Sequence, residues 1–251
     1  MRVIALLALC LAAVAAVPTN PQRIIGGSAT TITQYPSMAA LLFSNIGFRQ
    51  ACGGTIINNR SILTAAQCTF VYAPSRFRAR VGSTNANSGG YVHDAQTIIN
   101  HPSWSIHDLA IIRVSSEFSI NHHTIARASL AGPNYETTHN MPVWAAGWGR
   151  TRVGGTNVEQ LHHVQNWVVA QSICAQRYAP LGVRVTDGMV CAGWLDFSSR
   201  DQCYGDEGGP LLHNGVLVGV FSFGPNPCND IRIPAINTRV SFYSSWIRDN
   251  A

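Results

Sequence analysis

The chain contains no lysine, and this absence is the most unusual feature of its composition. All 17 of its basic residues are arginine. A guanidinium group stays charged above about pH 12, whereas a lysine ammonium group loses its proton near about pH 10.4. A protein that works in a strongly alkaline extracellular compartment would keep its positive charge in this way, and we expect such a compartment. Compositional drift in the choice of basic residue is the alternative.

Other scarcities exclude whole classes of protein. Only 12% of the 251 residues are charged, while 46% are hydrophobic, which argues against a disordered chain or a coiled coil. The sequence has no CxxC pair and no HExxH motif, so we expect no metal site and no cofactor. It has no basic run interleaved with aromatic residues, so we expect no binding to nucleic acid.

Long apolar runs are missing after the first residues of the chain. Residues 1–16 combine a basic second residue with an apolar run that is short for a membrane span, and small residues precede Val17 and Pro18. This pattern predicts a secretory signal peptide, with a transmembrane anchor as the alternative. We therefore expect a secreted, extracellular protein without a membrane contact.

The cysteine count agrees with secretion. Cys10 lies in the predicted signal peptide, which leaves an even number of cysteines for disulfide bonds. Many pairings are possible, and cysteine arithmetic alone does not choose between them. The remaining cysteines are Cys52, Cys68, Cys174, Cys191, Cys203 and Cys228.

Short segments rich in β-branched residues recur along the chain between turn residues. Regular short strands with little helix predict an all-β fold, either a barrel or a sandwich. Asn214 and Gly215 mark the turn of a hairpin over residues 211–223, since this pair tolerates positive φ. Only residues 241–248 look helical, with Trp246 placed to pack on the body. The predicted strands cover residues 39–44, 54–57, 61–65, 77–81, 96–100, 109–114, 142–148 and 163–169.

A series of short motifs runs from residue 24 to the carboxyl end. Their order and spacing resemble those of the trypsin-like serine proteases with the chymotrypsin fold. Segments such as VWAAGWG and GWLD are most similar to the digestive trypsins of moth and butterfly larvae, whose midgut is alkaline. The motifs are RIIGG from Arg23, CGG from Cys52, TAAQC from Thr64, DLAII from Asp108, WG from Trp148, DQCYGDEGGP from Asp201 and SFG from Ser222.

The resemblance implies an architecture and an activation switch. It implies two six-stranded antiparallel β-barrels with the site in the cleft between them, and a short C-terminal helix. Residues 1–16 would be the signal peptide, 17–23 an activation propeptide and 24–251 the protease-like domain. Cleavage after Arg23 would free the amino group of Ile24 to pair with Asp206. The implied disulfides are Cys52–Cys68, Cys174–Cys191 and Cys203–Cys228.

The catalytic positions depart from the family pattern. The family places a histidine before its second cysteine and a serine in its glycine-rich loop, where this chain has Gln67 and Glu207. Asp108 alone of the catalytic triad is retained. A general base must accept a proton from the nucleophile and return it, and an amide does not do so near neutral pH. His107 adjoins Asp108, but neighbours on an extended segment point to opposite sides, so we do not expect it to replace the missing base.

Glu207 raises a separate question, because it stands on a loop built to present a side chain. That loop aims backbone N–H groups, including those of Gly205 and Glu207, at the anion position known as the oxyanion hole. One hypothesis is that the Glu207 carboxylate plugs this position or accepts a hydrogen bond from Gln67, while Gln67 also donates to Asp108. The alternative is that both substitutions drifted after activity was lost.

The residues of the family's specificity pocket are retained only in part. Asp201 lies where trypsins place the acid that binds arginine or lysine, and Gly224 matches one of the two glycines that leave the entrance open. Ala235 replaces the other glycine. A methyl group there should shorten or bend the pocket, since a close-packed wall has little room to relax. Binding of basic residues is therefore expected to be weakened.

Two classes of function follow. The first is a secreted, monomeric, non-catalytic protease homologue that binds protease inhibitors, other proteins or peptides at its cleft, for example as a decoy for dietary inhibitors. The second is an endopeptidase of trypsin-like specificity with residual or unorthodox activity. Asn59 begins a weak N-glycosylation sequon, Asn59-Arg60-Ser61.

Overall fold

The computed structural model describes residues 25–197, 200–228 and 230–251. The predicted signal peptide, the propeptide with Arg23, and Ile24 lie outside these residues. The described part contains fourteen strands and two α-helices. The strands are β1 (Ser28–Ala29), β2 (Met38–Asn45), β3 (Gly47–Ile56), β4 (Ser61–Thr64), β5 (Phe77–Val81), β6 (Tyr91–Asn100), β7 (Ala110–Val114), β8 (Ser129–Leu130), β9 (Pro142–Gly147), β10 (His162–Val169), β11 (Met189–Gly193), β12 (Pro210–His213), β13 (Val216–Phe223) and β14 (Ala235–Arg239); the helices are α1 (Gln171–Tyr178) and α2 (Ser244–Asn250).

The first barrel is closed by six antiparallel strands in the order β2-β3-β4-β7-β6-β5. Side chains alternate along its strands, as in β5, where Phe77, Ala79 and Val81 are buried. The inward residues of the barrel form one apolar cluster that includes Leu41 and Ile112. Closure leaves no free sheet edge between these strands, and it fixes the ends of β4 and β7, which face the cleft.

The second barrel joins β9 to β14. Its strands pair in the order β10-β11-β14-β13-β12-β9, and β9 pairs again with β10 to close the ring. Strand β1 adds to β10, and β8 pairs in parallel with β13. One large apolar cluster is shared between the barrels, because Leu63 and Leu109 of the first pack with Val190 and Leu211 of the second. The prediction of two six-stranded antiparallel barrels and a short C-terminal helix is confirmed.

The helices differ from the sequence prediction in one respect. Only the C-terminal helix was expected, and it is present as α2, with Trp246 partly buried against the shared core. The additional helix α1 was missed because it is short and lacks a continuous apolar stripe. It is held instead by buried Cys174 and Tyr178, four residues apart on one face.

Three disulfide bonds join Cys52 to Cys68, Cys174 to Cys191 and Cys203 to Cys228. These are the pairings that the family resemblance implies. The first ties β3 to the turn that carries Gln67, and the third ties the glycine-rich loop to the segment after β13. Among the described residues, no helix is both long enough and apolar enough to span a bilayer.

Candidate active-site cleft

Three short segments bring Gln67, Asp108 and Ser222 together between the barrels. Gln67 lies in a turn of 3-10 helix just after β4, Asp108 immediately precedes β7, and Ser222 lies near the end of β13. The Gln67 backbone N–H donates to Asp108 Oδ1 at 2.8 Å, and Ser222 Oγ donates to Asp108 Oδ2 at 2.6 Å. The two barrels therefore meet in a hydrogen-bonded cluster around one carboxylate.

Gln67 uses both hydrogens of its side-chain amide within this cluster. Its Nε2 donates to Asp108 Oδ2 at 2.7 Å and to the Ser222 carbonyl oxygen at 2.5 Å. The expectation that Gln67 donates to Asp108 agrees with this geometry. The idea that Glu207 accepts from Gln67 does not, because an NH₂ group has two hydrogens and both are taken.

Asp108 is a partly buried acid that hydrogen bonds support. Burial raises the pKa of its carboxyl group, while the bonds from Ser222 and Gln67 oppose that rise. Its backbone carbonyl accepts from Thr238 Oγ1 at 2.8 Å. His107 does not enter the cluster, since its Nδ1 pairs with the Tyr243 hydroxyl at 2.5 Å on another side.

Glu207 folds its side chain back onto the loop that presents it. Its Oε2 accepts a hydrogen bond of 2.6 Å from the backbone N–H of Gly205, and the carboxylate also accepts from the N–H of Glu207 itself. Burial raises the pKa of Glu207, while these two bonds and the nearby charge of Arg150 lower it. The carboxylate thus lies on the two backbone donors that the resemblance assigns to the oxyanion hole.

The glycines of this loop allow its shape. Gly205 has φ of +94° and Gly208 has φ of +77°, values that side chains rarely tolerate. The loop is anchored at both sides, because the Gly53 N–H donates to the Glu207 carbonyl at 2.7 Å and the Gly208 N–H donates to the Phe221 carbonyl at 2.8 Å. The position of Glu207 is therefore fixed by backbone contacts to both barrels.

The residues of the predicted specificity pocket are buried or lie close to a buried acid. Asp201 is buried, its Oδ1 has no hydrogen-bond partner among the described residues, and burial raises its pKa well above the ordinary value. A carbon added at Gly224 would lie 3.7 Å from Asp201 Oδ2 and 3.9 Å from Ala235 Cβ. A side chain at position 224 would therefore be in van der Waals contact with both residues, so Ala235 and Asp201 both lie close to Gly224.

Asp206 is enclosed below the loop. Its Oδ1 accepts from the Gly149 N–H at 2.7 Å and its Oδ2 from the Cys203 N–H at 3.0 Å. Burial is the main reason that the pKa of Asp206 is raised to about 7. Ile25, the first residue that the structure describes, packs beside the Cys203–Cys228 disulfide, while the predicted partner Ile24 lies outside the described residues.

Sequence reasoning missed three contributors to the cleft. Ser222 was recognised only as part of a motif, although its hydroxyl and carbonyl both belong to the Gln67 and Asp108 cluster. Arg150 acts on Glu207 across a long sequence separation, which no local pattern reveals. Gln202 lies beside Asp201 and is almost fully buried, with neither side-chain amide atom paired among the described residues.

Histidine and acidic residues do not assemble into a metal site in the part of the chain that the structure describes. His163 pairs with Tyr35 and Ser28, and His162 contacts the Gln160 carbonyl. Asn59 is exposed in the turn between β3 and β4, and its glycosylation stays a prediction.

Comparison with known proteins agrees with this geometry. The family model described as Trypsin matches residues 24–247. The chain belongs to the trypsin family. Within the family, it is 55% identical to "Trypsin, alkaline C" of Manduca sexta, over 99% of this chain and 98% of that protein. It is 51% identical to "Trypsin CFT-1" of Choristoneura fumiferana over the full length of both.

Among solved structures, the trypsin-family chain is similar to a protein of the scabies mite described as an inactivated protease paralogue, S-D1. The TM-score is 0.80 at 26% identity, and the match covers 89% of this chain and 95% of that one. The predicted likeness to moth trypsins is confirmed at the level of sequence identity.

Proposed function

We propose that this member of the trypsin family is non-catalytic and acts as a secreted binding or decoy protein through its protease-like cleft. The observation that carries the proposal is the Glu207 carboxylate on the Gly205 N–H. A substrate carbonyl would need that donor while negative charge develops on its oxygen. A resident carboxylate occupies the donor and repels the developing charge.

The chemistry at Gln67 supports the same conclusion. Its amide keeps the hydrogen bonds to Asp108 and Ser222 but has no lone pair of suitable basicity to take a proton from a nucleophile. Glu207 offers a carboxylate as nucleophile, and acyl transfer to it would form a reactive mixed anhydride. Losing the serine or the histidine costs about 10⁶ in kcat in subtilisin, or about 8 kcal/mol of transition-state stabilisation.

The cleft still offers a surface for a partner. A groove of about 520 Å³ is lined by Gln67, Trp104, Phe223 and Ile236 among others, and most of its lining is apolar. We infer that protease inhibitors or peptides are its partners, because they recognise shape and apolar contacts beside the site. The similarity to the scabies mite protein described as an inactivated protease paralogue is consistent with a non-catalytic role for this fold.

A second candidate is an endopeptidase of trypsin-like specificity with residual or unorthodox activity. The names of several relatives favour it, because proteins of Manduca sexta and Choristoneura fumiferana that share about half of their residues with this chain are called trypsins. Secretion by a signal peptide over residues 1–16 and activation after Arg23 belong to both candidates and remain proposals.

One experiment separates the two candidates. The protein is activated, freed of the activating protease and compared with its Gln67→His, Glu207→Ser double variant and with each single variant. Turnover of an arginine amide and of a small apolar ester is measured, since the ester does not need the predicted pocket for basic side chains. We expect turnover of the ester only in the double variant. Turnover by the unmodified protein that survives a covalent serine-protease inhibitor would support the second candidate instead.

A further inference from the structure

Three consecutive apolar side chains are exposed in the loop between β4 and β5 of the first barrel. Phe70 is 40% exposed, Val71 is 61% exposed and Tyr72 is 46% exposed. The loop is a tight turn, because the Tyr72 N–H donates to the Thr69 carbonyl at 3.0 Å. Single exposed apolar residues are common on protein surfaces. A contiguous exposed group of them marks a surface that contacts a partner or a membrane.

The β2–β3 hairpin extends this apolar surface. The ring of Tyr72 lies 4.5 Å from the ring of Phe43 in β2, between centroids. Ile46, between β2 and β3 at the tip of the hairpin, is 92% exposed. On the other side, Phe70 stacks on Trp104, a residue of the cleft groove, with 4.0 Å between ring centroids. The exposed apolar surface therefore runs from the hairpin tip to the edge of the cleft.

Positive charge borders these side chains. All 12 acidic residues of the chain lie from Asp94 onward, whereas residues 24–93 contain five arginines and no acid. Arg49 is exposed and lies opposite Phe43 in the register of β2 and β3. The Arg76 guanidinium lies 4.9 Å from the centre of the Phe43 ring. Arg78 forms an ion pair with Asp94, but neither Arg49 nor Arg76 pairs with a carboxylate in the part of the chain that the structure describes. Such a charge asymmetry along a chain is typical of proteins that bind an anionic surface.

We propose that this surface docks on a lipid layer with anionic headgroups. Apolar side chains at the tips of two loops would enter the boundary between headgroups and acyl chains, where aromatic rings are also favoured. The arginines at their edge would reach the headgroup phosphates. A lipid layer accepts protruding side chains without a matching cavity, which a protein partner would have to supply. We call the surface the first-barrel patch; its residues are Ile46, Arg49, Phe70, Val71, Tyr72 and Arg76.

The expectation of no membrane contact rested on the lack of long apolar runs. The first-barrel patch is assembled from two segments that β3 and β4 separate in sequence, so no such run reveals it. Contact of this kind is peripheral and needs no membrane-spanning helix. Because Phe70 stacks on Trp104, docking would bring the cleft groove close to the lipid surface. The proposal is independent of whether the cleft is catalytic.

Sedimentation with lipid vesicles tests the proposal. The protein is purified from the culture medium of a secreting host, and amino-terminal sequencing verifies that the apolar residues 1–16 have been removed. One set of vesicles contains phosphatidylcholine alone, and the other contains equal amounts of phosphatidylcholine and phosphatidylglycerol. We expect half of the protein to bind the anionic vesicles at about 10⁻³ M lipid, which is weaker than binding through a single acyl chain. Binding to phosphatidylcholine alone should be at least about tenfold weaker.

Two matched pairs of variants locate the contact. Val71→Asp should weaken binding to the anionic vesicles at least about tenfold, because a carboxylate would replace an apolar group at the acyl boundary. Leu181→Asp is its control, since Leu181 is 59% exposed in a turn of the second barrel, and it should have little effect.

The second pair removes two positive charges in each protein. The Arg49→Gln, Arg76→Gln double variant should lose at least about tenfold in binding to the anionic vesicles. The Arg127→Gln, Arg248→Gln double variant has the same net charge and changes two exposed arginines outside the first-barrel patch, so it should retain most of the binding.

Thermal unfolding of each variant shows whether a loss of binding reflects a loss of folding. The proposal is overturned if the protein does not bind anionic vesicles at about 10⁻² M lipid, ten times the expected concentration. It is also overturned if both kinds of vesicle bind equally, or if Val71→Asp and Leu181→Asp have equal effects. Heparin supplies anionic charge without an apolar layer. Binding to heparin that is tighter than binding to vesicles and is unchanged by Val71→Asp would identify an anionic polymer as the partner instead.

Discussion

Gln67 imitates the hydrogen bonds of an imidazole without its acid–base chemistry. Its amide reaches Asp108 and the Ser222 carbonyl, which adds one donor to a partly buried carboxylate. An apolar residue at this position would remove that donor and leave Asp108 with the bonds from the backbone N–H of residue 67 and from Ser222 Oγ, at a cost of about 1 kcal/mol or more. The substitution therefore changes the chemistry of the cleft while preserving its polar contacts.

The ionisation of Glu207 gives a first prediction at the residue scale. Burial raises its pKa in the folded state, so its contribution to stability is present at low pH and is lost as the pH rises through that value. Glu207→Gln removes this titration. We compare the melting temperature of the unmodified protein with that of the variant. We expect the difference, unmodified protein minus variant, to decrease as the pH is raised from about 4 to about 9.

Thermal unfolding over this pH range measures the difference. Glu117→Gln is the control, because it makes the same substitution at an exposed position. A difference for Glu207→Gln that does not change with pH would contradict the partly buried, loop-bound position of the carboxylate.

Ala235 gives a second prediction for a single methyl group. A carbon added at Gly224 would lie 3.9 Å from Ala235 Cβ and 3.7 Å from Asp201 Oδ2, so Ala235 borders the predicted specificity pocket. Ala235→Gly should widen that pocket and tighten the binding of benzamidine about tenfold, or about 1.4 kcal/mol. Calorimetric titration checks this, with Ala145→Gly in β9 as a control for a buried alanine elsewhere in the same barrel. Equal affinities in all three proteins would show that the methyl group does not limit entry.

At the scale of the element, most strands could be predicted from the sequence. Helix α1 and the contacts made by the loops could not. Strand β5 was predicted with its observed bounds because Phe77, Ala79 and Val81 alternate with arginines. The Asn214-Gly215 turn has φ of +48° and +78°, as its sequence indicates. Strands β11 and β14 were not identified, since both are buried segments without alternation, and periodicity alone does not define such strands.

For the candidate site, the positions of the residues could be predicted from the sequence, but the contacts of their side chains could not. Gln67, Asp108, Asp201 and Glu207 were located by motif order, because each lies within a short recognisable segment. The direction of each side chain was not available from the sequence, since it depends on partners far along the chain. Such partners are Arg150 beside Glu207 and Ser222 beside Asp108.

The loop that contains Asp206 carries a third prediction. Its folded-state pKa of about 7 lies above the ordinary value of 3.8, so the folded state holds this proton more tightly than the unfolded state does. The contribution of Asp206 to the free energy of unfolding is therefore complete below about pH 4 and is lost as the pH rises through about 7. The free energy of unfolding should fall by on the order of 4 kcal/mol, at about 1.36 kcal/mol per pKa unit.

Cleavage after Arg23 should reverse this behaviour. An ammonium group at Ile24 that pairs with Asp206 would lower the pKa of Asp206, and the stability would then be retained above about pH 4. Urea unfolding at several pH values measures how the free energy of unfolding depends on pH in the intact and in the cleaved protein. The same pH dependence in both forms would argue against pairing between Ile24 and Asp206.

For the whole molecule, the shared core predicts that the two barrels unfold together. Leu109 is fully buried where residues of both barrels meet. Leu109→Ala should lower the free energy of unfolding by about 2–5 kcal/mol through lost apolar contact and a cavity. A single cooperative transition should remain when urea unfolding is followed by both circular dichroism and tryptophan fluorescence. Two separate transitions would show that each barrel is stable without the other.

The carboxyl end of the chain has a mechanical consequence. Arg113 of β7, in the first barrel, donates through Nη2 to the carbonyl oxygens of Asn250 and Ala251, each at 3.0 Å. The segment that follows the second barrel is thus hydrogen-bonded to the first barrel. An affinity tag fused after Ala251 would disturb these hydrogen bonds between the barrels. A protein that is to be immobilised should therefore be attached at another position, so that force on the tag does not separate the two sides of the cleft.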